Sequence, residues 1–578
     1  MSDVFQLTRV DPLTGVAEAI PAHERIEALL EHPQARRLIR TMDTQALYSL
    51  IHDAGVHDAY ELVLAASGEQ VQAMVDFDCW SRDALEMERL TNWLRLLLER
   101  DDFGVKEMVD DMDPEIIVAW LRAHVQIFFW EEDQDLLDAI DGPVMSSPDG
   151  VYALFLSDED LAPLTRHLLE RLYAIDILVG HRFLEASRWE VTAELVERAY
   201  TMREARLGDL GFVPFHEALE VYTWLPPREF VAKARARANS PTTEPLIIPV
   251  GGRLDPVDHQ LQWLEQRRFS ESTNIFSQAL GALPLVVDAD QVEDVVSSLL
   301  SQFRALANRA HTADRGNPGD MTSARKATQA AERLLSLGLE LAADTDATLA
   351  ARVLSTTPLK ELHRAGFSAQ LEIQRQVRRL VDRGQLTLTD APMSLLDPID
   401  ADLFAGLLRE RPVMSATYDT PIGSMQDLRH AARRVSEVAF QELALFGLLR
   451  HRHEEVSQLV FDPAKSGTPV ELVRFRSLFA TRLINDHLGR KDELQPLTIG
   501  ELHRFGEWLH SHDNALETLV DRLTLMLTPK TEQAGDLAPI ATLLAGRVSG
   551  WIIDEWGDTA QPLLAEIAQQ LVLVTPLQ

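Results

Sequence analysis

An all-α fold, arranged as an array of several helical units, is predicted by three observations. Apolar residues recur at the three- and four-residue spacing of a helix face along most of the chain. Strand-like alternation is scarce, and the N-terminal part carries one cap-and-stripe pattern three times over.

The periodicity is clearest at Leu90, Trp93, Leu94, Leu97 and Leu98, and again in the more heavily apolar run Leu334, Leu335, Leu337, Leu339 and Leu341. The best strand-like stretch, Leu246 to Val250, is interrupted by Pro249 and stopped by Gly251 and Gly252, so it reads as an extended connector. In the repeat, Asp43, Ser67 and Asp113 each offer a capping oxygen, with Gln45, Glu69 and Glu115 two residues on. Apolar side chains follow four, seven and eight residues after each cap: Leu47, Leu50 and Ile51; Val71, Met74 and Val75; Ile117, Trp120 and Leu121. A capping oxygen satisfies the first free amides of a helix, Pro114 suits a first helical position, and those offsets form one stripe. Short helices of this kind bury their stripes by stacking, which predicts a superhelical N-terminal segment.

A chain of 578 residues is too long for one hydrophobic core, so three or four packed units are expected. Clusters of turn formers divide it into an N-terminal helical repeat domain (1–145), a helical domain (146–238), an extended linker (239–258), a helical domain (259–390) and a C-terminal helical domain (391–578). The 90 acidic residues outnumber the 55 basic ones, and a formal charge of −35 repels phosphate backbones and anionic lipid. Nucleic acid is therefore not an expected partner. The densest basic cluster, Lys233, Arg235 and Arg237, reads as a solvated helix face. The single cysteine, Cys79, excludes an intrachain disulfide framework and any cysteine-rich metal site. No apolar run approaches the roughly 20 residues that span a bilayer. The N-terminal residues lack the apolar core of a signal peptide, so membrane insertion is not expected and the cytoplasm is the expected location.

Several phrases together resemble a large uncharacterised bacterial family, all-helical and known only as a domain of unknown function. They are Glu69 to Trp80; Arg206 to Phe212 with Glu217 to Tyr222; and Leu337 to Glu340 with Pro358 to Phe367. The resemblance implies no catalytic residue. The N-terminal repeat is also similar to the superhelical N-terminal domain of MgtE-type magnesium transporters, a likeness that implies architecture alone.

Three constellations could carry chemistry. Asp76, Phe77, Asp78, Cys79 and Trp80 form a corner between helices, where two carboxylates beside an aromatic pair suit a ligand- or partner-binding site. The simpler account makes one aspartate the cap of the next helix, Phe77 and Trp80 anchors, and Cys79 a small buried filler. On the second, Glu507 and His510 share a helical face, and His503 lies seven residues before His510, so the three could line one stripe as metal ligands. Completing that set requires His451, His453 or Glu454 to arrive from another helix, with donor atoms within roughly 5 Å of one another. The simpler account is an exposed helix end, where histidines suit the dipole. The third is the shared pattern of Glu361 to Gly366 and Glu501 to Gly506, which reads as two helix ends closed by glycine. Arg206 to Phe212 reads the same way, with Gly211 as a left-handed cap and Phe212 packing back. Residues His311 to Gly319 read as a long polar loop. Phosphate-binding, calcium-loop and hydrolase motifs are missing.

The expected function is a helical protein-interaction scaffold or adaptor in the bacterial cytoplasm. A protein partner with a basic surface and no cofactor is expected. The alternative is a metal-dependent enzyme with the carboxylate and histidine set above.

Overall fold

A computed structural model of the chain describes residues 8–10, 17–19, 22–56, 58–81, 83–156, 158–240, 245–246, 274–390, 393–490, 493–528, 534–556 and 572–576. The chain forms two compact units, Met1–Ala365 and Gly366–Gln578, divided within the Leu359–Asp382 helix. Helices dominate, and among the described residues none is long and apolar enough to cross a membrane. Of the connector expected over 239–258, residues 241–244 and 247–258 lie outside the described residues. Leu246 N donates to Ser355 O at 2.7 Å.

In the first unit the three repeat caps stand where the sequence puts them. Asp43, Ser67 and Asp113 precede the helices Thr44–Ala54, Gly68–Asp78 and Pro114–His124. Asp43 accepts from Ala46 N, whereas Asp113 makes no side-chain cap bond. Ser67 closes a reciprocal capping box with Gln70, whose amide also donates to Ile39 O and Met42 O at 2.9 Å. All nine stripe residues are buried, with Leu47, Val71 and Trp120 fully enclosed. They join one apolar core with Leu90, Trp93, Leu94, Leu97 and Leu98.

The sequence reading passes over a three-stranded antiparallel sheet, in which Tyr152–Leu156 lies between Val125–Phe129 and Val144–Ser146. Val125 continues straight from the end of a helix, and Tyr152 to Leu156 is an apolar run without alternation, so helical periodicity masks both. The Arg206 to Phe212 phrase ends the Thr192–Asp209 helix as expected. Gly211 has φ +91°, its N–H donates to Gly208 O, and Phe212 N donates to Leu207 O, the two bonds of a Schellman closure. The polar loop expected from His311 starts later, because the Val292–Ala313 helix carries His311 inward before turning toward the Met321–Ala343 helix.

In the second unit, Gly366 and Gly506 do not end helices. Leu359–Asp382 and Ile499–Ser511 run through them. Each apolar stripe continues past its glycine, with Phe367, Ile373 and Val377 buried after Gly366, and Trp508 stacked on Phe505 across Gly506. Tertiary burial there outweighs the intrinsic weakness of glycine in a helix. A buried ion network ties Asp400 to Arg434 (2.5 Å) and Arg434 to Glu437 (3.0 Å), with Arg547 also on Glu437. Residues 572–576 pack into this unit, with Val572, Leu573 and Val574 enclosed there.

Candidate functional site

The Asp76–Trp80 corner is an interior joint. Asp76, 1% exposed, closes the last turn of the Gly68–Asp78 helix. It accepts from Arg206 Nε at 2.7 Å, Arg206 Nη2 at 3.0 Å and Gln72 Nε2 at 2.8 Å. Arg206 also pairs with Asp113 at 2.8 Å, and Gln72 Oε1 accepts from Asp113 N at 2.8 Å. Arg203, three residues before Arg206 and so on the same helical face, donates from Nε to Asp76 O at 2.9 Å. Its guanidinium lies 5.3 Å over the Trp80 ring. Burial alone would lower the Arg206 pKa, but the hydrogen bonds and charges of Asp76 and Asp113 raise it above its ordinary value.

Asp78 is engaged differently. It accepts from Trp93 Nε1 at 2.8 Å and Tyr48 OH at 3.3 Å, and pairs with Arg89 at 3.5 Å. Neither aspartate caps the next helix, Met87–Leu97, whose cap position is Glu86. Both carboxylates point back into the unit because buried donors compete for them more strongly than a free helix end does. Phe77, Trp80 and Cys79 are buried, and burial pushes the Cys79 thiol pKa well up. Phe77 meets Phe212 edge-on at 6.2 Å, and Phe212 meets His311 at 6.1 Å. His311 Nε2 lies 2.7 Å from Ser323 Oγ, and burial lowers the His311 pKa. Arg203, Arg206 and His311 escape sequence reasoning. The available signal was two arginines three apart beside the Gly208–Gly211 closure, but their partner Asp76 is distant in sequence.

The proposed metal ligands do not converge. His503, Glu507 and His510 lie on the exposed side of the Ile499–Ser511 helix, and His510 Nδ1 turns back to Gly506 O at 2.8 Å. His453 Nε2 lies 2.9 Å from Thr387 O, Glu454 is exposed, and His451 is half-buried. Among the described residues no group of three or more His, Cys, Asp or Glu is placed to hold a metal ion.

A cleft of about 1020 Å³ opens in the first unit. Its floor is Ala22, Ile26 and Leu30 from one helix with Ala54 from the end of another. Around it stand Glu27, Glu31, Asp53, Asp58 and Glu61, all exposed, with His23 at one edge. The spacing explains the division. Ile26 and Leu30 are four apart and face in, while Glu27 and Glu31 follow one position later on the rim. Asp53 pairs with Arg325, whereas among the described residues no ion pair neutralises Glu27, Glu31 or Asp58. An apolar floor inside an anionic rim suits an amphipathic cationic segment.

No curated protein and no solved structure matches this chain. The likeness of the N-terminal repeat to magnesium-transporter domains thus remains an expectation. The model of a family of unknown function, DUF6178, matches residues 6–571, and the chain belongs to that family.

Proposed function

We propose that the protein is a helical interaction scaffold that holds a basic, amphipathic segment of a partner protein in the acid-rimmed cleft of its first unit. The observation that carries this reading is the set of five exposed carboxylates around an apolar floor. Burial of apolar side chains on Ile26 and Leu30 would supply affinity, and the rim would supply rate and selectivity. The excess of acidic over basic residues extends the same field over the whole protein and disfavours nucleic acid as the partner. The cytoplasm is the setting we assign to this role.

The reading is tested with a fluorescent amphipathic Leu/Lys peptide titrated against the full chain at rising salt. Saturable binding that weakens with salt is expected. The combined reversal Glu27→Lys, Glu31→Lys and Asp58→Lys should weaken it at least tenfold, about 1.4 kcal/mol. The control reversal Asp135→Lys with Asp138→Lys, on exposed residues away from the cleft lining, should leave it within twofold. Equal weakening by both sets, or no binding, would sink the proposal. Stoichiometric metal that survives dialysis and is lost in His510→Ala would favour the enzyme reading instead.

A further inference from the structure

The C-terminal segment 572–576 sits in a slot of the second unit, held mainly through its backbone. Leu573 N donates to Thr481 Oγ1 at 2.8 Å, and Val574 N donates to Thr468 Oγ1 at 2.8 Å. Thr468 Oγ1 in turn donates to Val572 O at 3.3 Å. Leu497 N donates to Leu573 O at 2.9 Å, Thr575 N donates to Leu497 O at 3.0 Å, and Gly467 N donates to Val574 O at 2.7 Å. Every backbone polar group from Val572 O through Thr575 N is therefore satisfied by the slot. Leu497 and Val574 form a parallel bridge, and Val572, Leu573 and Val574 are 0% exposed.

This is the bonding of a bound extended peptide: main-chain groups recognised in series, with apolar side chains enclosed. Two features mark the slot as shaped for a backbone. The threonine hydroxyls of Thr468 and Thr481 take the place of strand amides and carbonyls. At Gly467 an added Cβ would meet Pro576 Cα at 2.9 Å and Thr575 O at 3.0 Å, so only glycine lets the segment approach.

We infer that this slot is an exchangeable peptide site, which a second copy of the chain can fill with the same C-terminal segment. A copy's own tail and a neighbour's tail make identical bonds, so exchange changes connectivity and leaves contacts intact. The intramolecular tail competes at high effective concentration, which keeps the site closed in dilute protein and favours exchange as concentration rises.

The test uses a chain ending at residue 571 and a labelled peptide of residues 570–578. The peptide should bind the shortened chain saturably, bind the full chain at least tenfold more weakly, and fail on the shortened chain carrying Gly467→Val. If the shortened chain is unfolded alone, excess peptide should restore its helical circular dichroism. Peptide that neither binds a folded shortened chain nor rescues an unfolded one overturns the inference. The shortened chain should also form a one-to-one heterodimer with full-length Gly467→Val, whose tail has lost its own slot, measured by light scattering. Peptide entry without that heterodimer would overturn the assignment of a second copy as the partner.

Discussion

Truncating Asp76 removes the carboxylate that Arg206 and Gln72 share and leaves the Arg206 guanidinium with Asp113 alone, while Arg203 keeps its bond to the Asp76 carbonyl. Breaking a buried pair on one side costs about 3–5 kcal/mol, far more than the net value of the pair itself. Because Arg206 keeps Asp113, Asp76→Ala should lower stability by no more than about that amount in urea unfolding, and Asp76→Asn, which keeps an acceptor oxygen, by less. His311 gives the corner a pH dependence whose sign is fixed by its burial. Its folded pKa lies below the ordinary 6.5, so in the window beneath 6.5 the unfolded chain binds the extra proton. Stability contributed by neutral His311 is present above pH 6.5 and is lost as pH falls through the folded value. The urea midpoint of the native chain should drop more steeply below pH 6.5 than that of His311→Gln. Asp76 was legible in the sequence as a notable residue. Its partners were not, because pairing across more than a hundred residues is decided by how the helices pack.

At the scale of elements, Gly211 combines two constraints in one position. Its φ of +91° disfavours any side chain, and an added Cβ would meet Ala305 Cα at 2.6 Å. Left-handed strain of about 1–2 kcal/mol and overpacking of about 1–3 kcal/mol predict a loss of roughly 2–5 kcal/mol for Gly211→Ala, measurable by urea or thermal unfolding. Gly366 and Gly506 look alike in sequence and behave otherwise, since the helices around them still have apolar faces to bury. Local chemistry therefore located the helix starts, where Asp43 and Ser67 cap the amides of their own helices and Asp113 stands at the start without a cap bond. It located helix ends only where the chain also turns. The sheet around Tyr152–Leu156 was hidden for the same reason: its stability lies in pairing, which no local pattern records. The cleft carboxylates were present in the sequence as scattered acids, and three separate elements had to converge before they became a rim.

For the molecule as a whole, charge is the most general determinant of association. With 90 acidic against 55 basic residues, approach to a polyphosphate meets net repulsion. Electrophoretic shift or anisotropy assays with DNA and RNA at physiological salt should show no submicromolar binding. Salt-sensitive binding in that range would mean that a local groove overrides the global field.

The single buried cysteine also makes the native chain its own reporter. A thiol that is enclosed, and held protonated by burial, reacts with a disulfide reagent only when the Asp76–Trp80 joint opens. When reclosing outpaces the reagent, the modification rate relative to that of a free thiol gives the equilibrium constant for opening. Variants such as Asp76→Asn can then be ranked by a colorimetric clock, with no added probe and no second thiol to correct for.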